Sequence, residues 1–281
     1  HCKTNKIASV GLSDTTNLCG ALEFSENISK SGCQPIIGTQ INFSYEGEIG
    51  LLPLMAKTEG GYKSIIELSS KSFLENDGMT VNHCKLDDLF NIGKDIIILS
   101  GSINGLIGKL FNKGKLNEIK EIYKLLKKNY LDDFYIEIQR HGDQAEKSFE
   151  IFNLSKSNEL NIPIIATNEV FYLEKNMHEA HDALICIGNK TYINEKNRIK
   201  YSNNHYLKSD DEMKEIFSDL PEALTNNYNI VLKCNFRPLP SKPVLPNISS
   251  EKGGNADEIL TKDSLDGLRE KFLKVFKLNV S

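Results

Sequence analysis

A chain of 281 residues, 40% of them hydrophobic, holds enough apolar material for one large core or two modest ones. Its formal net charge of -4 lacks the basic excess that neutralises phosphates, which argues against direct, sequence-independent DNA binding by this segment alone. The six cysteines form no C-x-x-C pair or short regular spacing, which excludes a disulfide framework and a zinc knuckle. No run reaches the roughly 18 apolar residues of a membrane span, and the start carries no signal-peptide pattern, so a reduced cytoplasmic setting without membrane contact is expected. The chain opens at His1 rather than Met and soon enters an apolar run, so it reads as a piece of a longer protein.

In chain order, Ile7 to Leu12, Pro35 to Phe43 and Leu51 to Lys57 are candidate strands. Gly60-Gly61 reads as a turn before a helix over Tyr62 to Leu74, which carries Ile65, Ile66, Leu68 and Phe73 at helical spacing. The strand Asp95 to Ser100 precedes a helix from Leu116 to Leu131, whose stripe of Leu116, Ile119, Ile122, Leu125 and Leu126 faces away from its lysines. Strands follow at Phe134 to Gln139 and Ile162 to Thr167. Such alternation implies parallel strands joined by covering helices, as an α/β barrel or a doubly wound sheet. Helices are then expected at Asn176 to Ile187, Asp210 to Phe217 and Pro221 to Cys234. The Pro-, Ser- and Gly-rich run Phe236 to Gly254 reads as a linker, with Gly253-Gly254 as a turn. A last helix over Ala256 to Phe276 begins whatever follows.

In parallel α/β folds, functional groups gather where strands end, and the residues there are Asp14, Gln40, Ser102, His141 and Glu169. Asp14 in SDTTN has the chemistry of a cation ligand or of a helix cap. Gln40 offers an amide carbonyl, a weak ligand for a hard cation. His141 directly after a strand suits a ligand, a general base or a satisfied structural group. Glu169 and Asn168 have a good address, but Phe171 two residues on supplies no ligand. His178 and His181 share a helix face and read as solvated, and His83-Cys84 as loop residues. Phosphate-loop, nucleophile-elbow and dinucleotide motifs are missing from the sequence.

The segments VGLSDTTNLCGALEF, PIIGTQINF, LMAKTEGGYKSI, IILSGSINGLIG, YIEIQRHG, IPIIATNEVFYL, EAHDALICIG and LPEALTNNYNIVLKCN, in that order, resemble the polymerase-and-histidinol-phosphatase (PHP) domain that opens bacterial DNA polymerase III alpha subunits. The resemblance runs from about Ile7 to Asn235. It implies a distorted α/β barrel of about seven strands surrounded by helices, with metal ligands at the strand ends in intact members. It also implies residues 1–235 as the PHP domain with its first strand truncated, 236–254 as a linker and 255–281 as the start of the polymerase region.

Matched position by position, Asp14-Thr15 keeps the aspartate of the family's Asp-His pair and loses the histidine. The family glutamate is Gln40, the histidine opening the next strand is Leu51, and the cysteine after Ser-Gly is Ser102. His141 matches a ligand, and Asn168-Glu169-Val170-Phe171 keeps a carboxylate without the histidine. The resemblance therefore implies a degenerate metal site, with no cofactor in this segment, and a structural role as a docking surface for the proofreading exonuclease subunit. The parent chain would be a Mg-dependent, DNA-directed DNA polymerase working with the remaining holoenzyme subunits and contacting DNA outside this domain. The alternative is an active, metal-dependent PHP phosphoesterase using the family's first pair of histidines, which would lie before His1, together with Asp14, His141 and Glu169.

Overall fold

The computed structural model describes residues 1–76, 78–243 and 255–276. All six apolar runs form strands: β1 (Ser9–Thr15), β2 (Gln34–Tyr45), β3 (Glu48–Ala56), β5 (Ile96–Leu99), β6 (Phe134–Gln139) and β7 (Ile164–Thr167). A two-residue strand, β4 (Cys84–Lys85), completes the seven. They form a curled sheet in the order β1-β2-β3-β5-β6-β7, with β4 beside β2. The architecture is the expected distorted α/β barrel, and among the described residues no ladder joins β1 to β7.

One expectation fails: the strands are not all parallel. β1–β2, β5–β6 and β6–β7 are parallel pairs, but β3 runs antiparallel to both β2 and β5. The cause is local. Only Glu46 and Gly47 separate β2 from β3, both with positive φ (48° and 77°), and a two-residue loop of that geometry returns the chain antiparallel.

Between the strands lie α1 (Ala21–Lys30), α2 (Glu59–Leu74), α3 (Leu86–Ile92), α4 (Leu106–Asn112), α5 (Leu116–Tyr130), α6 (Gln144–Leu160), α7 (His178–Asn189), α8 (Asp210–Ile216) and α9 (Pro221–Lys233). β5 lies between β3 and β6 with every residue buried, which is why it reads Ile-Ile-Ile-Leu rather than as an alternation. Its Ile96 and Ile98 join Ile119, Ile122 and Leu126 of α5 in the main core. Each such side chain contributes about 1.5–3 kcal/mol by leaving water.

Two local readings are corrected. Gly60 and Gly61 are not a turn but lie in the first turn of α2, after Glu59, and the helix's cap Thr58 accepts from the Gly61 N–H at 3.2 Å. A Cβ on Gly61 would lie 2.1 Å from the Asp95 carbonyl oxygen, so close backbone approach requires glycine there. Cys84 is not a loop residue: β4 buries it, and its Sγ donates to the Leu68 carbonyl at 3.2 Å.

The chain divides into two compact units, His1–Leu239 and a second from Pro240 onward. The second contains α10 (Ala256–Phe276), over the residues expected to be helical. Residues 244–254 of the expected linker, with the Gly253-Gly254 turn, lie outside the described residues. Among the described residues no helix is long and apolar enough to cross a membrane.

Candidate functional site

After β6 the chain turns through Arg140, His141 and Gly142, whose φ of 91° suits glycine, into α6. A capping box starts that helix: Asp143 accepts from the Ala145 N–H at 2.9 Å while Glu146 reaches back. Glu146 Oε2 accepts the amides of His141 (2.8 Å), Gly142 (3.1 Å) and Asp143 (3.2 Å). Burial pushes the Glu146 carboxyl up, but its bonds to His141 and these amides outweigh burial and hold it below the usual range.

His141 is 3% exposed and fully engaged. The Glu169 backbone N–H, which can only donate, donates to His141 Nε2 at 3.2 Å. That fixes the tautomer, so the hydrogen sits on Nδ1 and is donated to Glu146 Oε1 at 2.9 Å. The His141 carbonyl accepts from Ser202 Oγ (2.9 Å) and Asn204 Nδ2 (2.8 Å). Its ring stacks on His205, with centroids 4.0 Å apart. His205 in turn donates from Nδ1 to the Glu169 carbonyl at 3.0 Å, and burial together with His141 pushes it down to about 4.

Glu169 follows β7, and its carboxyl is pushed up by burial, against the opposing pull of His141 and of the Gln40 side chain facing it. Beside it, Asn168 Oδ1 accepts from Lys208 Nζ at 2.7 Å. Lys208 is 7% exposed, also donates to the Asn204 carbonyl, and lies 4.7 Å from the Tyr206 ring. Burial pushes its ammonium down to about 8. This cation is held by neutral oxygens and a ring face.

Of the five expected positions, three meet: Gln40, His141 and Glu169. The other two make their contacts elsewhere. Asp14 is not a residue after a strand but lies within β1, opposite Thr39, whose hydroxyl donates to the Asp14 carbonyl at 2.7 Å. Nor does it cap α1, whose capping residue Gly20 precedes Ala21 and which has no side-chain cap. Ser102 Oγ accepts from the Asn104 N–H at 3.3 Å in the loop before α4.

An imidazole binds a metal through a lone pair, and a metal-activated water needs several such donors aimed at one point. His141 has no nitrogen lone pair to spare. Among the described residues no group of three or more His, Cys, Asp or Glu side chains is arranged to hold a metal ion. The residues present do not fit a metal centre of the kind the resemblance implies in intact members.

Sequence reasoning missed Glu137, Glu146, His205 and Lys208. Only Glu146 carried a local signal, the Asp143-x-x-Glu146 spacing of a capping box. The reading of His178 and His181 as solvated is corrected: His178 Nε2 bonds the Tyr201 carbonyl (2.9 Å), and His181 stacks on Phe171 (5.1 Å). Tertiary packing of Phe171 and Tyr201 covers them.

The PHP domain family model matches residues 1–141. The DNA polymerase III subunit alpha of Rickettsia bellii is 37% identical over 273 residues, covering 97% of this chain and 23% of that protein. The same-named protein of Vibrio cholerae is 33% identical over 284 residues, covering 96% of this chain and 24% of that protein. The chain thus spans about a quarter of the length of these relatives. A solved structure from Bifidobacterium adolescentis, described as a candidate metal-dependent phosphoesterase, aligns with TM-score 0.35 and 11% identity over 77% of this chain and 87% of that one. A likeness that distant carries no argument.

Proposed function

This chain belongs to the PHP domain family, and we propose that it is the N-terminal PHP domain of a bacterial replicative DNA polymerase III alpha subunit whose metal site has given way to contacts within the protein. In this reading residues 1–235 are the PHP domain, 236–254 a linker and 255–281 the start of the polymerase region. The parent chain is a cytoplasmic, DNA-directed DNA polymerase, a nucleotidyltransferase of DNA replication that uses Mg. DNA is engaged by the rest of that chain. The PHP domain serves as a structural body that docks the proofreading exonuclease subunit beside the other holoenzyme subunits.

The observation that supports the loss of metal chemistry is the state of His141. Glu146 and the Glu169 amide occupy both of its ring nitrogens, and His205 covers its face. Gln40 and Ser102 stand where the family has a glutamate and a cysteine, so the bridging acid and the soft ligand are also gone. What remains holds β6, β7 and the segment 201–208 together, which suits a scaffold.

The test is an assay of phosphate release from p-nitrophenyl phosphate by the purified chain with excess Mn²⁺ or Zn²⁺, paired with a binding titration against the exonuclease subunit. No metal-dependent release, with saturable binding of the exonuclease by the full alpha subunit, is expected. Robust metal-dependent turnover would restore the phosphoesterase reading, and an exonuclease that ignores the intact alpha subunit would remove the docking role.

A further inference from the structure

Inside the main core, two hydrogen bonds link buried polar groups: Glu137 of β6 with Ser100 after β5, and Tyr123 of α5 with Asn153 of α6. The Glu137 N–H can only donate, and it donates to Ser100 Oγ at 2.9 Å. Tyr123 donates to Asn153 Oδ1 at 2.9 Å, which leaves Asn153 Nδ2 as a donor with nothing yet to bond. Ser100 and Asn153 are 0% exposed and Glu137 is 6% exposed.

Two atoms of these groups have no hydrogen-bond partner among the described residues: Asn153 Nδ2 and Glu137 Oε2. The Gly101 N–H faces the Glu137 carboxyl but falls short of hydrogen-bond geometry. The other carboxylate oxygen, Oε1, is satisfied by Gln139 Nε2 at 3.0 Å and by the Thr167 hydroxyl. Glu137 and Asn153 line one cavity of about 10 Å³ with Gly101, Ser102 and Gln139. That is about the room one water needs, and buried waters typically join otherwise unsatisfied polar groups.

The chemistry of the two atoms selects the ligand. One donates and the other accepts, and a water does both. A metal cation at the same point would face the Asn153 N–H hydrogens. A water also serves the carboxyl in either protonation state, donating to the ionised form and accepting from the neutral one.

We propose that this cavity is a binding site for a single buried water, which accepts from Asn153 Nδ2, bonds Glu137 Oε2 and so bridges α6 to β6. With the bonds of Glu137 to Ser100 and Thr167 and of Tyr123 to Asn153, the water joins groups of β5, β6, β7, α5 and α6 in one polar network. It does not depend on the reading of the chain as part of a polymerase.

The test is a crystal structure of the chain, at a resolution that shows ordered solvent, for the natural sequence and for Asn153→Leu. The expected result is one density peak within hydrogen-bond distance of both Glu137 Oε2 and Asn153 Nδ2, lost in the variant. Featureless density, a direct Glu137–Asn153 bond, or an ion at metal–ligand distances would overturn the proposal. Should Asn153→Leu fail to fold, the map of the natural sequence decides the matter by itself.

Discussion

His141 and His205 stack face to face, with ring centroids 4.0 Å apart and planes within 5°. The column continues from His205 to Phe171 (5.0 Å) and from Phe171 to His181 (5.1 Å), so four rings join the end of β6 to α7. Rings that are packed on one another and bonded at their edges stabilise a fold, and that role is incompatible with swinging a lone pair toward a cation.

His141→Ala should therefore be a stability mutation. It leaves Glu146 and the Glu169 amide without their imidazole partner in a buried place, with an expected loss of about 2–3 kcal/mol. Urea denaturation measures it. A variant as stable as the natural chain would mean that His141 is not bound as described.

Phe171→His restores the residue type the family motif carries at that position. The variant should still bind no metal, because His141 remains committed, and should lose about 1 kcal/mol of stacking and burial. Equilibrium dialysis against Zn²⁺ checks the first expectation and thermal melting the second. Tight stoichiometric binding would show that the missing histidine alone had disabled the site.

Asp133 supplies a pH dependence. Burial pushes its carboxyl up, but Lys57 (2.6 Å) and Lys233 (2.9 Å) outweigh burial and hold it below the usual range. A carboxyl depressed in the folded state stabilises the fold above its unfolded value, near about 3.9, and that stability is lost as pH falls through the folded value. Asp133→Asn should cost about 1–2 kcal/mol at neutral pH and progressively less on acidification. Parallel stability curves for the two chains across the acid range would contradict this.

The paired glycines of α2 should respond unequally. Gly61→Ala drives a Cβ to 2.1 Å from the Asp95 carbonyl oxygen, a backbone atom that cannot swing aside, and should cost about 1–3 kcal/mol or more. A Cβ on Gly60 would meet only the side-chain atoms Asp95 Oδ2 (3.3 Å) and Thr58 Oγ1 (3.4 Å), which can give way. Gly60→Ala should be within about 1 kcal/mol of the natural chain, helped by helix propensity. Melting temperatures of the two variants distinguish the cases.

The central strands were legible because burial on both faces turns them into apolar runs, as in Ile96 to Leu99. The direction of β3 was not, although Glu46-Gly47 carried the signal of a two-residue hairpin. The helix α5 announced itself through Ile119, Ile122 and Leu126, while α6 spreads its few buried residues, Phe149 and Asn153 among them, too thinly to show a stripe. At the site, local sequence pointed to His141 and Glu169, but nothing local pairs His141 with His205, 64 positions away (205 − 141). Glu137 sits in a strand whose residues are buried on both faces, so alternation could not mark it as inward-facing. Such partners follow from the closing of the sheet rather than from spacing along the chain.

The most direct test of the account is the metal content of the chain after exposure to excess Mn²⁺ and Zn²⁺ and removal of free ions by gel filtration, read by elemental analysis. A scaffold whose imidazoles and carboxylates are bound to one another predicts close to zero ions per chain and a melting temperature that a chelator leaves unchanged. Tightly held stoichiometric metal, with stability that falls when it is stripped, would contradict the account and return His141 and Glu169 to the role of ligands.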